Sequence, residues 1–125
     1  MQKLPAEHAI LRIVARPTDV NADGDVFGGW LMSQVDIAGS IVATRHVKGH
    51  VVTVAVTNFR FIRPILVSDI VSLYGSVKQV GTTSITIEIT VYIERKSDDY
   101  GFIDKVAEAE FVYVHIDQQG KPVPI

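Results

Sequence analysis

The hydrophobic period of this 125-residue sequence changes near Gly49, from the helical spacing of the segment before it to a strand spacing. Before Gly49, apolar residues recur every three or four positions, which predicts an amphipathic helix from about Gly28 to Arg45 with Leu31, Val35, Ala38 and Val42 on one face. After Gly49 the period is two. The alternation is cleanest over residues 84–95, where one face carries Ile85, Ile87, Ile89, Val91 and Ile93.

Strands are predicted in five segments, at residues 8–16, 51–62, 69–80, 84–95 and 105–116. The later strands are long and their connections are short, which favours antiparallel pairing. One long helix with about five strands predicts an α+β fold in which a curved sheet wraps around the helix. The length, without repeats or linkers, predicts a single domain over residues 1–125.

The strand predicted at residues 51–62 has apolar side chains on both faces: Val52, Val54 and Val56 on one, and Val51, Ala55, Phe59 and Phe61 on the other. A strand of this kind is stable when both of its sides are covered. An exposed strand edge also favours pairing with a second chain. We therefore expect a strand-to-strand dimer, with coverage by loops of the same chain as the alternative.

Composition restricts the classes of partner. Twelve Lys and Arg against fourteen Asp and Glu give a net charge of −2, which does not indicate a nucleic-acid partner. The sequence contains no cysteine, which excludes disulfides, thiolate chemistry and cysteine-based zinc sites. An apolar run long enough for a signal peptide or a membrane span is missing, so no membrane partner and a cytoplasmic location are expected.

The stretch TDVNADGDVFGGW, residues 18–30, begins like a calcium-binding EF-hand loop, with matching residues at Asp19, Asn21, Asp23 and Gly24. An EF-hand loop needs an oxygen ligand at its twelfth position and usually a polar group or a water at its ninth. These positions hold Trp30 and Phe27, and the segment before Pro17 is rich in β-forming residues. No metal site is therefore predicted.

Asp36 lies in the middle of the predicted helix and has no basic residue three or four positions away. Its small neighbours Ser33, Gly39 and Ser40 are more typical of a ligand slot than of a solvated helix face, although a solvated aspartate is the alternative reading. At the helix start, Phe27-Gly28-Gly29 places unpaired amides where they can stabilise an oxyanion, although a pair of glycines is also a common way for a chain to enter a helix.

Gly28 and Asp36 are eight residues apart, about 12 Å along one helix, which is too far for both to act on one carbon atom. Two helices related by a two-fold axis can bring the amide end of one to the acid of the other. The expected dimer would therefore also complete the site.

Other polar residues carry weaker signals. His46 and His50 are predicted as surface residues, since no third metal ligand is evident. Arg60 and Arg63 are predicted on opposite strand faces, where each can meet phosphate or solvent. Thr83 and Ser84, in the turn between two predicted strands, can offer backbone and hydroxyl groups to a ligand. The alternative is that they serve only to form the turn.

Four blocks, at residues 21–40, 51–56, 61–65 and 80–85, closely resemble the YciA-like acyl-CoA thioesterases of the hotdog-fold superfamily. The resemblance runs from about residue 10 to about residue 120. It implies a five-stranded antiparallel sheet around one long central helix, and homodimers that commonly assemble as a trimer of dimers. It also implies acyl-CoA as the substrate at the dimer interface, with coenzyme A as part of the substrate and no separate cofactor.

The resemblance also implies roles for individual residues. Asp36 would be the catalytic carboxylate, as general base or as nucleophile, and Asp25 would orient water or the acyl group. The amides of Gly28 and Gly29 would polarise the thioester carbonyl. Substrate-binding positions are expected at Phe27, Thr53, Arg63, Thr83 and Ser84.

Residues 57–60, TNFR, depart from the family pattern, most visibly at Arg60, which leaves the substrate preference open. The alternative function is a non-catalytic acyl-CoA binding module. A hotdog dehydratase would need a histidine near the helix, and none occurs between His8 and His46.

Overall fold

The structure, a computed structural model, describes residues 2–96 and 101–125. Its elements in chain order are β1 (Leu11–Val14), a 3-10 turn (Pro17–Asp19), α1 (Gly28–Val47), β2 (His50–Phe61), β3 (Ile70–Val80), β4 (Ser84–Lys96) and β5 (Gly101–Ile116). The predicted α+β class and the antiparallel pairing are confirmed. Two boundaries differ from prediction by three residues or more: β1 begins at Leu11 and not at residue 8, and β5 begins before residue 105 because Gly101 still pairs with Lys96 of β4.

The strands form one sheet in the order β1-β3-β4-β5-β2, and α1 packs across its inner face. The helix buries one stripe against the sheet, at Leu31, Val35, Ala38, Gly39 and Ala43. The opposing layer comes mainly from β4, where Ile85, Ile87, Ile89, Val91 and Ile93 are almost completely buried, as the alternation predicted. This is the hotdog architecture that the resemblance implied.

β2 forms one edge of the sheet and pairs with β5 alone. Most of its residues are exposed, including Val54 at 54% and Phe61 at 55%, so the described loops do not cover this strand within one chain. Two bulges, at Val54 and Thr57, interrupt its pairing. Because paired residues share a sheet face, the side chains of Thr53, Val56, Phe59 and Phe61 lie on the helix side, opposite the buried residues of β5.

Within residues 2–96 and 101–125, the helical segments include none with the length and apolarity needed to span a membrane.

Candidate active site

The loop before α1 is built around the side chain of Asn21. Its Oδ1 accepts hydrogen bonds from the backbone N–H groups of Asp23 at 2.9 Å and Asp25 at 3.2 Å. The backbone N–H of Asn21 donates to the carbonyl of Asp25 at 2.7 Å. Gly24 takes a positive φ of 86° at the tip of this turn. Because Oδ1 is occupied by the loop, the amide Nδ2 of Asn21 is the part of the side chain that is left to donate to a ligand.

Asp19 fastens the same loop to the start of α1. Its buried carboxylate accepts the backbone N–H of Arg16 at 2.9 Å and pairs with the Arg16 guanidinium at 3.3 Å, while its carbonyl accepts the N–H of Phe27 at 3.0 Å. The hydrogen bond from the Arg16 backbone, with help from its side chain, holds the pKa of Asp19 below its ordinary value. The EF-hand-like residues Asp19 and Asn21 therefore use their oxygens to shape the loop.

A cavity of about 390 Å³ opens between this loop, the start of α1 and residues 61–65. Four of the predicted site residues line this cavity: Asp25, Phe27, Gly28 and Arg63. Asn21 and Phe61 also line it, although the sequence analysis assigned them no role in the site. Gly28 is the first residue of α1, and a Cβ there would lie 3.3 Å from Cζ of Phe61. Its neighbour Gly29 does not line the cavity.

Asp36 lies one to two turns beyond the cavity and is held by two hydroxyl groups. Thr53 of β2 donates to Asp36 Oδ1 at 2.6 Å, and the Tyr113 hydroxyl of β5 lies 3.1 Å from the same oxygen and 2.9 Å from the Asp36 carbonyl. Burial, together with the adjacent Asp36 carboxylate, raises the pKa of Tyr113 far above its ordinary value, so this hydroxyl remains a proton donor. Among the described residues, no hydrogen bond reaches Asp36 Oδ2.

The space beside Gly39 has a different use from the ligand slot that the sequence indicated. The Tyr113 hydroxyl fills it, and a Cβ on Gly39 would collide with that oxygen and lie 3.0 Å from Tyr113 Cζ. Gly39 therefore lets the tyrosine reach the helix backbone beside Asp36. The alternative of a freely solvated Asp36 is also wrong, because its carboxylate is half-buried and hydrogen-bonded.

The remaining candidates lie in separate places. Arg63 lines the cavity and pairs with the buried Asp104 at 2.5 Å, whereas Arg60 pairs with Glu108 at 2.9 Å on the opposite strand face. Ser84 pairs with Val114 of β5, and the carbonyl of Thr83 accepts the N–H of His115 at 2.9 Å. The predicted contact of Thr83 and Ser84 with substrate remains a prediction.

Within one chain, the cavity and the Asp36 carboxylate are well separated. Thr53 pairs with Tyr113 and Phe61 pairs with Ala107, which places the two pairs six residues apart along β5. At the rise of a β-strand this is roughly 20 Å between the two strand pairs, and along α1 Gly28 lies about 12 Å from Asp36. The Asp36–Thr53 pair and the Gly28–Phe61 cavity therefore cannot act on one substrate carbon within a single subunit.

Comparison with known sequences gives matches over most or all of the chain. The family model of the thioesterase superfamily matches residues 23–98. The acyl-CoA thioester hydrolase YciA of Salmonella typhimurium is 46% identical over 126 aligned residues, which cover 100% of this chain and 95% of that protein.

Solved structures agree in fold. A hexameric thioesterase from Yersinia pestis superposes with a TM-score of 0.90 at 44% identity, covering 98% of both chains. An acyl-CoA hydrolase from Staphylococcus aureus, solved with butyryl coenzyme A, coenzyme A and coenzyme A disulfide, gives a TM-score of 0.83 at 28% identity over 91% of this chain and 68% of that one. Variants of that hydrolase, in which an aspartate, an asparagine or a threonine is replaced by alanine, have also been solved.

Proposed function

The chain belongs to the thioesterase superfamily, and on that premise we propose that it is an acyl-CoA thioesterase, which hydrolyses acyl-CoA to coenzyme A and a carboxylic acid. The observation that carries this proposal is the similarity to acyl-CoA thioester hydrolases over the full length of the chain, at 46% identity. The fixed mid-helix carboxylate of Asp36 supplies the chemistry that such an enzyme needs.

The active site is proposed to lie between two subunits. The exposed edge of β2 can pair with β2 of a second copy, which continues the sheet and covers the apolar side chains of this strand. Antiparallel pairing about the middle of β2 brings the Asp36–Thr53 pair of one copy alongside the Gly28–Phe61 cavity of the other. The hexameric state of the Yersinia pestis relative supports a grouping of three such dimers.

Three groups on the cavity side are proposed to act on the thioester carbonyl. The amides of Gly28 and Gly29 begin α1, and the positive end of the helix dipole favours negative charge on the carbonyl oxygen. The Asn21 Nδ2 is a further donor at the same cavity. Asp25, which is half-buried in the cavity wall, is placed to orient the water or the acyl group.

The role of Asn21 has support from the Staphylococcus aureus variants. The asparagine, aspartate and threonine replaced in that hydrolase are spaced 15 and 17 residues apart. Asn21, Asp36 and Thr53 have the same spacing in this chain. This correspondence favours Asn21, rather than Asp25 alone, as the loop residue that contacts the reacting group.

Asp36 is proposed to act through Oδ2. As a general base it would take a proton from water while the water oxygen attacks the carbonyl carbon, and it would then return this proton to the sulfur of coenzyme A, which leaves as the thiol. As a nucleophile it would form a mixed anhydride that water then cleaves. A single turnover in ¹⁸O-labelled water separates the two, because only the anhydride route can leave label in the Asp36 carboxylate.

Coenzyme A release from acyl-CoAs of increasing chain length, followed with a thiol reagent, tests the function. The absence of cysteine removes any background from the protein. We expect turnover by the wild type and near-complete loss in Asp36→Asn, with coenzyme A binding retained in calorimetry. Coenzyme A binding without release from any acyl-CoA would instead support the alternative of a non-catalytic binding module.

A further inference from the structure

Tyr113 of β5 places its hydroxyl group 3.1 Å from the Asp36 carboxylate, on the side away from the proposed substrate. We infer that Tyr113 is a positioning residue, which together with Thr53 holds Asp36 Oδ1 so that Oδ2 faces the substrate. This inference rests on the proposed thioesterase function. It adds a requirement for a buried tyrosine on the side of Asp36 away from the substrate.

Two contacts fix the geometry of the carboxylate. Thr53 Oγ1 lies 2.6 Å and Tyr113 OH lies 3.1 Å from the same atom, Asp36 Oδ1. Two donors on one oxygen restrict rotation of the carboxylate about its χ2 angle, which otherwise has broad freedom. Oδ2 then has one direction available, and the preorganised orientation lowers the cost of reaching the transition state.

The rigidity of Tyr113 makes it suitable for this role. Its side chain is completely buried, and its ring stacks on Phe111 with centroids 6.4 Å apart. On the other side, the missing side chain of Gly39 admits the hydroxyl. The ring is thus held by packing, so the hydroxyl is placed by the sheet and not by a mobile loop.

The hydroxyl has two acceptors and one hydrogen. The carbonyl of Asp36 lies 2.9 Å away, beside Oδ1 at 3.1 Å. While the carboxylate is charged, the hydrogen bond to Oδ1 is the stronger one. When Asp36 takes up a proton or forms a bond to the acyl carbon, the hydrogen can turn to the carbonyl without any movement of the ring. The same residue therefore supports both charge states of Asp36.

Tyr113→Phe removes the hydroxyl and keeps the ring. A hydrogen bond to a charged group predicts a kcat loss between about 10-fold and 100-fold, with KM for the acyl-CoA unchanged within about twofold. Tyr74→Phe is the matched control, because Tyr74 is equally buried at 2% exposure and its hydroxyl accepts Arg12 Nη2 at 3.2 Å away from the site. We expect the control to keep the wild-type kcat.

A second pair of variants tests the approach through Gly39. Gly39→Ala should displace the hydroxyl and lower kcat at least as much as Tyr113→Phe. In the Tyr113→Phe background, the hydroxyl oxygen that the Cβ of the introduced alanine would meet is absent. The ring atom Cζ, which would lie 3.0 Å from this Cβ, needs to move only slightly. The alanine should therefore cost much less in this background, which is the non-additivity expected of two residues that act through one contact.

The outcomes are separable. A Tyr113→Phe variant with wild-type kcat, or one that loses no more than Tyr74→Phe, would overturn the positioning role while the thioesterase function stood. Equal costs for Gly39→Ala in both backgrounds would also overturn it. A wild type that releases no coenzyme A from any acyl-CoA would overturn the proposed function, and this inference with it.

Discussion

Subunit complementation offers the sharpest test of a site divided between two chains. Asp36→Ala disables the carboxylate half, and Asn21→Asp disables the cavity half while keeping the oxygen that accepts the N–H groups of Asp23 and Asp25. Each variant alone should be nearly inactive. In a dimer that contains one of each, one site carries both defects and the other site carries neither.

The expected recovery follows from the two-fold symmetry. Random pairing of equal amounts gives about half mixed dimers, each with one intact site of two, and therefore about a quarter of the wild-type activity. The assay is coenzyme A release after co-expression of the two variants, normalised to total subunits. The same fraction applies if dimers associate further into hexamers.

A matched control uses two defects in one half of the site. Thr53 contacts Asp36 within the same chain, so Thr53→Ala mixed with Asp36→Ala leaves neither site of a mixed dimer intact. This mixture should recover nothing. Equal activity in both mixtures, or none in the first, would refute the shared-site arrangement.

Three further predictions concern the sheet edge, the loop and the helix start. Val54→Asp places a charge on the exposed edge of β2 and should give inactive monomers, as measured by sedimentation velocity. The control is Val14→Asp on β1, where the side chain is 53% exposed, and this variant should remain at least dimeric and active. The lowered pKa of Asp19 stabilises the folded state at pH values above the unfolded-state pKa of about 4, and this stabilisation is lost as the pH falls through the lower folded-state pKa. Asp19→Asn should therefore make the decrease of Tm below about pH 4 less steep. A pH profile of Tm that does not change in this variant would contradict the prediction. Gly28→Ala brings a Cβ to 3.3 Å from the Phe61 ring and should lower kcat/KM by about tenfold or more, and adding Phe61→Ala should restore part of the loss if crowding of the cavity is the cause.

The hydrophobic period predicted the helix and the later strands of this fold, whereas β1 was predicted from its β-forming residues. The alternation of β4 is preserved on folding, and three of the four residues of the predicted helix stripe, Leu31, Val35 and Ala38, are buried, whereas Val42 is only partly buried and Ala43 is buried instead. The period is less informative in β2, where the bulges at Val54 and Thr57 interrupt the alternation. A bulge is fixed by pairing with β5, and that pairing is not visible in β2 itself.

The candidate site was predictable where chemistry is local. Asp36 and the Gly28 amide stand out from their immediate neighbours, and family resemblance added Thr53 and Arg63. Tyr113 was missed because its partner Asp36 is 77 residues away, and the one local sign of it was the unexplained Gly39. Asn21 was obscured by a loop whose residue pattern imitates a metal site.

The two bulges of β2 also determine which changes in chain length this edge can tolerate. Val54 and Thr57 are the residues without a partner in β5, so deleting either would leave Thr53, Val56 and Phe59 paired as before and still directed towards the helix. Relatives of this protein can therefore differ in the length of this edge by one residue at either bulge and keep the same side chains around the Asp36 carboxylate.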